Sequence, residues 1–362
     1  MLGKSFHNIL TDKFPFEPTE SQERGFRIIA EFLTHYNSNE ILLIKGYAGT
    51  GKTTLIGHLV KNLNWVKKKS VLLAPTGRAA KVLSSYAGKS AFTIHKKIYF
   101  SKSDSGGAGV KFMLKENKHK NTVFFVDESS MIADNRQQNK FFENGSLLND
   151  LVNYVINGDN CQLIFIGDTA QLPPVQLNLS PALSEEELEL QFNVEIHNIL
   201  LEDVVRQKSS SGILFNATQI RNLLVSEYFE GFKFHLDGFK DIFRIQEGNE
   251  FLELLEESLN EEGSDQTVLI VRSNKRANLY NKSIRERILF LDSDLSIGDQ
   301  LMVVKNNYFW LNPNSQPGFI ANGDVICINR IEKYVDRYDM RFAEVNVQMV
   351  DYPDEPPFDT IL

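Results

Sequence analysis

The stretch that most constrains the fold is G-Y-A-G-T-G-K-T at positions 46–53. It follows four consecutive apolar residues, Ile41, Leu42, Leu43 and Ile44, and precedes Leu55, Ile56, Leu59 and Val60. The unbroken apolar run reads as a buried strand, and the later spacing of three and four reads as a helix. Strand, glycine-rich turn and helix N-terminus, in that order, are the context in which G-x-x-x-x-G-K-[ST] binds a nucleoside triphosphate. Glycine lets the backbone curl until its N–H groups face a phosphate, and the helix dipole adds partial positive charge there. The loop residues are Gly46, Ala48, Gly49, Thr50, Gly51, Lys52, Thr53 and Thr54. Lys52 would reach the β- and γ-phosphates, and the Thr53 hydroxyl would hold Mg²⁺. The competing reading is a turn that binds nothing. It leaves every fixed position of the pattern filled without a reason.

Further apolar runs end in polar residues suited to the same chemistry. Residues 122–126 (T-V-F-F-V) close on Asp127 and Glu128. Asp127 would hold Mg²⁺ through water, and Glu128 would orient or deprotonate the attacking water. Residues 162–166 lead to Gly167, Asp168 and then Gln171, Pro173 and Pro174. Gln171 is placed to touch the γ-phosphate and report its loss, on a loop stiffened by the prolines. Arg206, after an apolar stretch, is a γ-phosphate clamp candidate, although a lone arginine is more often a surface residue. Thr19 and Gln22 fit a helix capping box, which explains both; the alternative is that the Gln22 amide meets an adenine edge. The run 71–74 ends at Pro75, Thr76, Gly77, Arg78 and Lys81, small and basic residues that would let a phosphodiester approach.

Composition narrows the partner. Of 362 residues 42% are hydrophobic and 24% charged, ordinary for a globular chain, and no apolar run is long enough to span a bilayer. The N-terminus lacks the apolar segment of a secretion signal. Two cysteines, Cys161 and Cys327, lie in apolar runs and read as buried thiols of a cytosolic protein, and no His/Cys spacing fits zinc. The net charge is −8, yet residues 61–120 carry fourteen Lys/Arg against two acids, a local charge of +12 on a remainder of −20. A basic block beside a nucleotide site is the footprint of a nucleic-acid channel; a solvated lysine-rich face is the bland alternative.

Three regions are expected. Residues 1–211 form a first α/β lobe with an excursion at 99–121 that reads either as a hairpin, with strands around 98–100 and 110–114, or as a disordered surface loop. Residues 212–297 form a second, partial α/β unit with a buried strand at 267–271. Residues 298–362 are β-rich and barrel-like, incomplete, ending in a loop.

The motifs in this order resemble superfamily 1 helicases, within them the RecD-like group that includes the Pif and Dda helicases. The stretch 46–53 is similar to that family's motif I, and 74–80 (A-P-T-G-R-A-A) to motif Ia. Similarly, 93–95 (T-I-H) matches motif Ib, 127–131 (D-E-S-S-M) motif II, 167–174 (G-D-T-A-Q-L-P-P) motif III and 205–207 (V-R-Q) motif IV. Residues 19–22 fall where the family has its Q motif, which favours a Gln22 contact to adenine alongside the cap. The resemblance implies a P-loop RecA-like parallel-sheet lobe, a partial second RecA-like lobe and a small barrel-like insertion. It implies ATP and Mg²⁺ as cofactors and single-stranded DNA as partner, with movement 5′ to 3′; no membrane partner is expected, and the oligomeric state stays open, with a monomer favoured. Pro75, Thr76, Arg78, Thr93 and His95 would then touch the strand, Asn274 would touch it from the second lobe, and the hairpin would sit where relatives carry a strand-splitting pin. Two alternatives remain: an RNA-tracking motor, since motifs I to III are similar in such proteins, and a nucleic-acid-binding P-loop switch with a vestigial ATPase, which fits the missing C-terminal motifs. The resemblance covers roughly residues 15–330, and motifs V and VI are not found. A chain lacking on the order of one hundred further residues of the second lobe would bind nucleotide but unwind little.

Overall fold

The computed structural model describes residues 2–35, 37, 39–103, 110–134, 146–203, 211–225, 231–246, 248–264, 266–305, 307, 310–312, 315, 317, 320 and 323–362. Two compact units result: residues up to 206 with 300–327 and 332–362, and residues 207–299 with 328–331.

The first unit begins with α1 (Leu2–Asp12), α2 (Glu20–Thr34), β1 (Glu40–Gly46), α3 (Lys52–Asn62), β2 (Lys69–Ala74), α4 (Gly77–Ala87), β3 (Ala91–Thr93) and α5 (Ile94–Ile98). It continues with β4 (Tyr99–Ser103), β5 (Val110–Leu114), β6 (Lys120–Val126), α6 (Leu147–Ile156), β7 (Asp159–Gly167), α7 (Glu185–Phe192) and β8 (Glu195–Leu201). Six strands make one sheet in the order β3-β2-β6-β7-β1-β8, and every pairing is parallel. Parallel strands need crossover connections, which place helices on both faces and bury the strands from both sides. The β1 run shows why no polar alternation appears. Leu42 and Ile44 pack into one core with Phe26, Ile29, Leu55 and Leu59, while Ile41 and Leu43 enter the opposite core with Phe124, Leu148 and Leu151.

The capping box at α2 is present as the sequence predicts. The Thr19 side chain accepts from the Gln22 N–H, and the Gln22 side chain accepts from the Thr19 N–H. Two features escape the sequence reading. Helix α1 packs Phe6 and Leu10 into the first core, and β8 adds a sixth strand beside β1. The hairpin forms, with β4 and β5 antiparallel from Tyr99 opposite Leu114 to Ser103 opposite Val110. Its base is anchored where the buried Tyr99 hydroxyl donates to Asp150 Oδ2 at 2.6 Å. Burial and that carboxylate together raise the phenol's pKa.

In the second unit α8 (Gly212–Val225), α9 (Gly248–Glu261) and α10 (Asn274–Arg287) account for the regular structure among the described residues of 207–299. The strand expected at 267–271 is not formed: Val268 is 80% exposed and Ile270 89%. A strand exists only when a neighbour satisfies its N–H and C=O groups, and none of the described residues of 207–299 supplies one.

The β-rich segment forms a four-stranded antiparallel sheet from β9 (Gln300–Met302), β10 (Val325–Arg337), β11 (Met340–Met349) and β12 (Phe358–Ile361), in the order β12-β11-β10-β9. Along β11, Ala343, Val345, Val347 and Met349 are buried and alternate with more exposed neighbours, the period expected of a sheet with one covered face.

Candidate nucleotide site and nucleic-acid interface

Strand β1 delivers its C-terminal end directly into the glycine-rich loop. Gly49 and Gly51 take φ of 81° and 87°, left-handed values that side chains rarely adopt, and Gly51 opens α3. Gly46 is required for a different reason: a Cβ there would lie 2.8 Å from Thr50 Oγ1 and 2.9 Å from Leu201 Cβ. The Lys52 ammonium lies inside the curl, donating to the carbonyls of Gly46 at 2.6 Å and Tyr47 at 2.9 Å. Thr50 Oγ1 donates to the Tyr47 carbonyl at 2.8 Å, and Gln22 Nε2 donates to the Thr50 carbonyl at 3.1 Å. Gln22 therefore uses both ends of its amide, one on the α2 cap and one on the phosphate loop.

One strand separates β1 from β6, so the carboxylates that follow Val126 sit across β7 from the loop. Burial pushes the Asp127 carboxyl up to about 6; the Glu128 N–H bond and Lys52 pull it down, and the Glu128 charge adds to the rise. Glu128 adopts φ 53°, ψ 37°, a left-handed backbone that turns the chain sharply out of the strand. For a non-glycine residue that costs about 1 kcal/mol or more. The surroundings hold it: Glu128 N–H donates to Asp127 Oδ1 at 3.0 Å, Ser129 Oγ to the Val126 carbonyl at 2.8 Å, and the buried Ser180 hydroxyl lies 2.7 Å from the carbonyls of Ser129 and Ile132. Ser130 Oγ donates to Gln171 Oε1 at 3.0 Å, so the turn after β6 is tied to the loop after β7.

A cavity of about 630 Å³ opens over the phosphate loop, within the size range of small-ligand sites. Lys52, Thr53 and Thr54 form its floor, while Phe14, Phe16, Tyr47 and Tyr86 contribute to its walls. These aromatic residues were not singled out from the sequence. The Phe14-Pro15-Phe16 cluster ahead of the Thr19 cap was the available signal, since flat rings beside a nucleotide loop suit a purine base. Oxygen donors from Thr53 and Asp127, with Glu128 adjacent, form a hard-ligand set that fits Mg²⁺. An Asp127 carboxyl whose ionisation is opposed by burial and by the Glu128 charge also favours a bound cation. Among the described residues no group of three or more His, Cys, Asp or Glu could hold a metal ion by itself.

Five of the expected strand contacts, Pro75, Thr76, Arg78, Thr93 and His95, lie where β2 and β3 end. Thr76 caps α4, accepting from the Ala79 N–H at 3.2 Å, and Thr93 caps α5, accepting from the Lys96 N–H at 3.2 Å. Each hydroxyl still has a proton to donate. Arg78 is exposed and Pro75 half-buried. His95 is half-buried beside Tyr99, and burial lowers its pKa to about 4, so it is a neutral imidazole at physiological pH. Asn274 is the exposed first residue of α10, in the other unit. Arg206 lies outside the described residues. The basic block is partly concentrated in a groove of about 420 Å³ lined by Lys96, Lys97, Lys115, Lys118, Phe92 and Tyr154. Burial and the Lys115 charge lower the pKa of both Lys96 and Lys97, and Glu355 opposes this at Lys96.

The parallel sheet, the phosphate loop at the end of β1 and the carboxylate pair at the end of β6 define a P-loop nucleotide-binding lobe of the RecA-like class. Residues 30–177 match a family model described as an AAA domain. The chain is 29% identical to the ATP-dependent DNA helicase Dda of Enterobacteria phage T4, over 56% of this chain and 42% of that protein. It is 28% identical to the ATP-dependent RecD2 DNA helicase of Deinococcus radiodurans, over 41% of this chain and 18% of that protein. Among solved structures it is similar to a Pif1 helicase from Bacteroides, with 15% identity, a TM-score of 0.42 and coverage of 94% of this chain and 74% of that one. In sequence the chain is thus similar to DNA helicases of the RecD and Dda kind. It spans less than two thirds of the length of the curated relatives it matches. No helix among the described residues is long and apolar enough to cross a membrane.

Proposed function

We propose that this chain binds ATP with Mg²⁺ in its first lobe and couples hydrolysis to movement along single-stranded DNA, 5′ to 3′ as in the group it resembles. The observation that carries the reading is the joint placement of a built phosphate loop, the Asp127–Glu128 pair and the Ser130–Gln171 bond at one end of a single sheet. Lys52 would exchange its two carbonyl partners for phosphate oxygens. Thr53 and Asp127 would hold Mg²⁺, which would neutralise charge on the phosphates, while Glu128 orients and deprotonates water. The aromatic cavity would receive the base, with Gln22 at its rim. Gln171 would register loss of the γ-phosphate and pass it to the turn after β6 through Ser130, with Arg206 as the clamp.

Thr76, Arg78, Thr93 and the lysines around Phe92 would hold the strand by charge, hydroxyl contacts and stacking, so affinity should fall with salt and vary little with sequence. Asn274 would add a contact from residues 212–297, read as part of a second motor lobe. The deciding experiment is ATP turnover by this chain with and without single-stranded DNA or a matched RNA. Stimulation by DNA supports the motor reading and stronger stimulation by RNA redirects it. ATP binding with no stimulation by either strand moves the nucleic-acid-binding switch ahead of the motor.

A further inference from the structure

The turn between β11 and β12 lies in the same compact unit as the nucleotide lobe, against the two elements proposed to receive the strand. Asp351, Tyr352 and Asp354 form one wall of a cavity of about 520 Å³, and Gly77, Lys81, Thr93 and Lys96 belong to the facing wall. The contact at Gly77 is tight: a Cβ built there would sit 2.7 Å from the Tyr352 hydroxyl oxygen. Gly77 follows the Thr76 cap and begins α4, so the tyrosine covers the helix turn where a phosphodiester would meet Thr76 and Arg78.

Charge follows the same arrangement. Asp351, Asp354 and Glu355 lie within five residues, opposite Lys81 and Lys96. Glu355 is near enough to Lys96 to favour its ammonium form, against burial and Lys115. The Lys96 ammonium also donates to the Ser315 carbonyl at 3.0 Å. The turn is held in shape from within: Gln348 Nε2 donates to the carbonyls of Tyr352 at 3.0 Å and Glu355 at 2.7 Å, and the Glu355 N–H donates to the Tyr352 carbonyl at 3.2 Å. A braced acidic turn with one aromatic ring, seated on lysines and threonine-capped helix starts, presents the same chemistry as a short piece of single-stranded nucleic acid.

The geometry points to an internal strand mimic: the 351–355 turn occupies the nucleic-acid groove of the first lobe and is displaced when a strand binds. This rests on the reading of Thr76, Arg78 and Thr93 as strand contacts. A strand then binds only the fraction of molecules whose groove is clear, so its apparent affinity falls by that fraction. The paired lysines also release fewer counterions, which flattens the salt dependence.

The test is binding of a fluorescent oligothymidine to the full chain by anisotropy, without nucleotide, across a salt series. The triple variant D351N/D354N/E355Q should bind about tenfold tighter than the unmodified chain, with a steeper fall in salt, as expected for a groove cleared from roughly one molecule in ten. A control, E186Q/E187Q/E189Q, makes the same charge change on exposed positions of α7 and should shift affinity less than about twofold. DNA-independent ATP turnover should be equal in all three proteins, showing an intact lobe. Equal tightening in both triple variants would assign the effect to bulk charge and overturn the mimic. Equal binding by all three would overturn it while leaving the strand reading in place. Absence of binding by all three would remove the strand reading and the mimic with it.

Discussion

The two units handle the same kind of sequence in opposite ways. Residues 41–44 and 267–271 are both short runs rich in Ile, Leu and Val, each leading to a helix with a polar start. The first is a strand at 2% exposure or less, clamped between β7 and β8. The second is unpaired, with Ile270 at 89% exposure. The contrast shows that an apolar run only proposes a strand. Neighbouring strands decide, because unpaired backbone groups cannot be buried. The same contrast separates what is complete in the nucleotide site from what is proposed. The phosphate loop, carboxylate pair and Gln171 connection are built within one unit from consecutive strand ends, whereas Asn274 belongs to the other.

If the first unit carries the chemistry, its removal should show there and leave other properties alone. Glu128→Gln should lower ATP turnover by about 100-fold or more, the usual contribution of a general base, while nucleotide affinity measured by titration calorimetry stays within about threefold. Unchanged turnover would take Glu128 out of its role. Lys52→Ala should weaken ATP binding by about 100-fold, a loss on the order of 3 kcal/mol for charge-assisted bonds to phosphate. Stability should divide the units just as sharply. Phe125→Ala, in the centre of the sheet, should cost about 3–5 kcal/mol in urea unfolding, as for other buried aromatic truncations. Ile270→Ser should change stability by no more than about 0.5 kcal/mol, as exposed positions do. A loss above about 1.5 kcal/mol at Ile270 would mean that the segment is covered by a partner strand in solution, and the contrast would fail. A loss between those of Phe125→Ala and Ile270→Ser should come from Thr19→Ala, about 1 kcal/mol in urea unfolding, because the Gln22 N–H loses the Thr19 hydroxyl that caps α2.

Most of the first lobe was legible because its signals are local. Four of the six sheet strands and the helix after the glycine-rich loop follow from uninterrupted apolar runs and helical spacing, and the capping box is written in four residues. Strand β8 was not legible: its E-I-H-N-I-L-L pattern is irregular in polarity, and it becomes a strand because β1 offers an open edge. Helix α1 was read only for what it lacked, although Phe6 and Leu10 carry its burial. In the site, Lys52, Thr53, Asp127 and Glu128 are found from motif spacing alone, while the Ser130–Gln171 bond joins residues 41 positions apart and has no sequence signature. The aromatic walls of the cavity come from three separate segments, so only folding shows that they share a space.

The Gln22 amide sets a limit on what evolution or an engineer could write at that position. One atom of the group must accept from the Thr19 N–H and another must donate to the Thr50 carbonyl. Glutamate can perform only the first task at neutral pH, lysine only the second, and methionine, of similar length, neither. Asparagine has both functions on a stem one methylene shorter. The vocabulary at residue 22 is therefore close to a single letter, and it is fixed by hydrogen-bond polarity even before a nucleotide is considered.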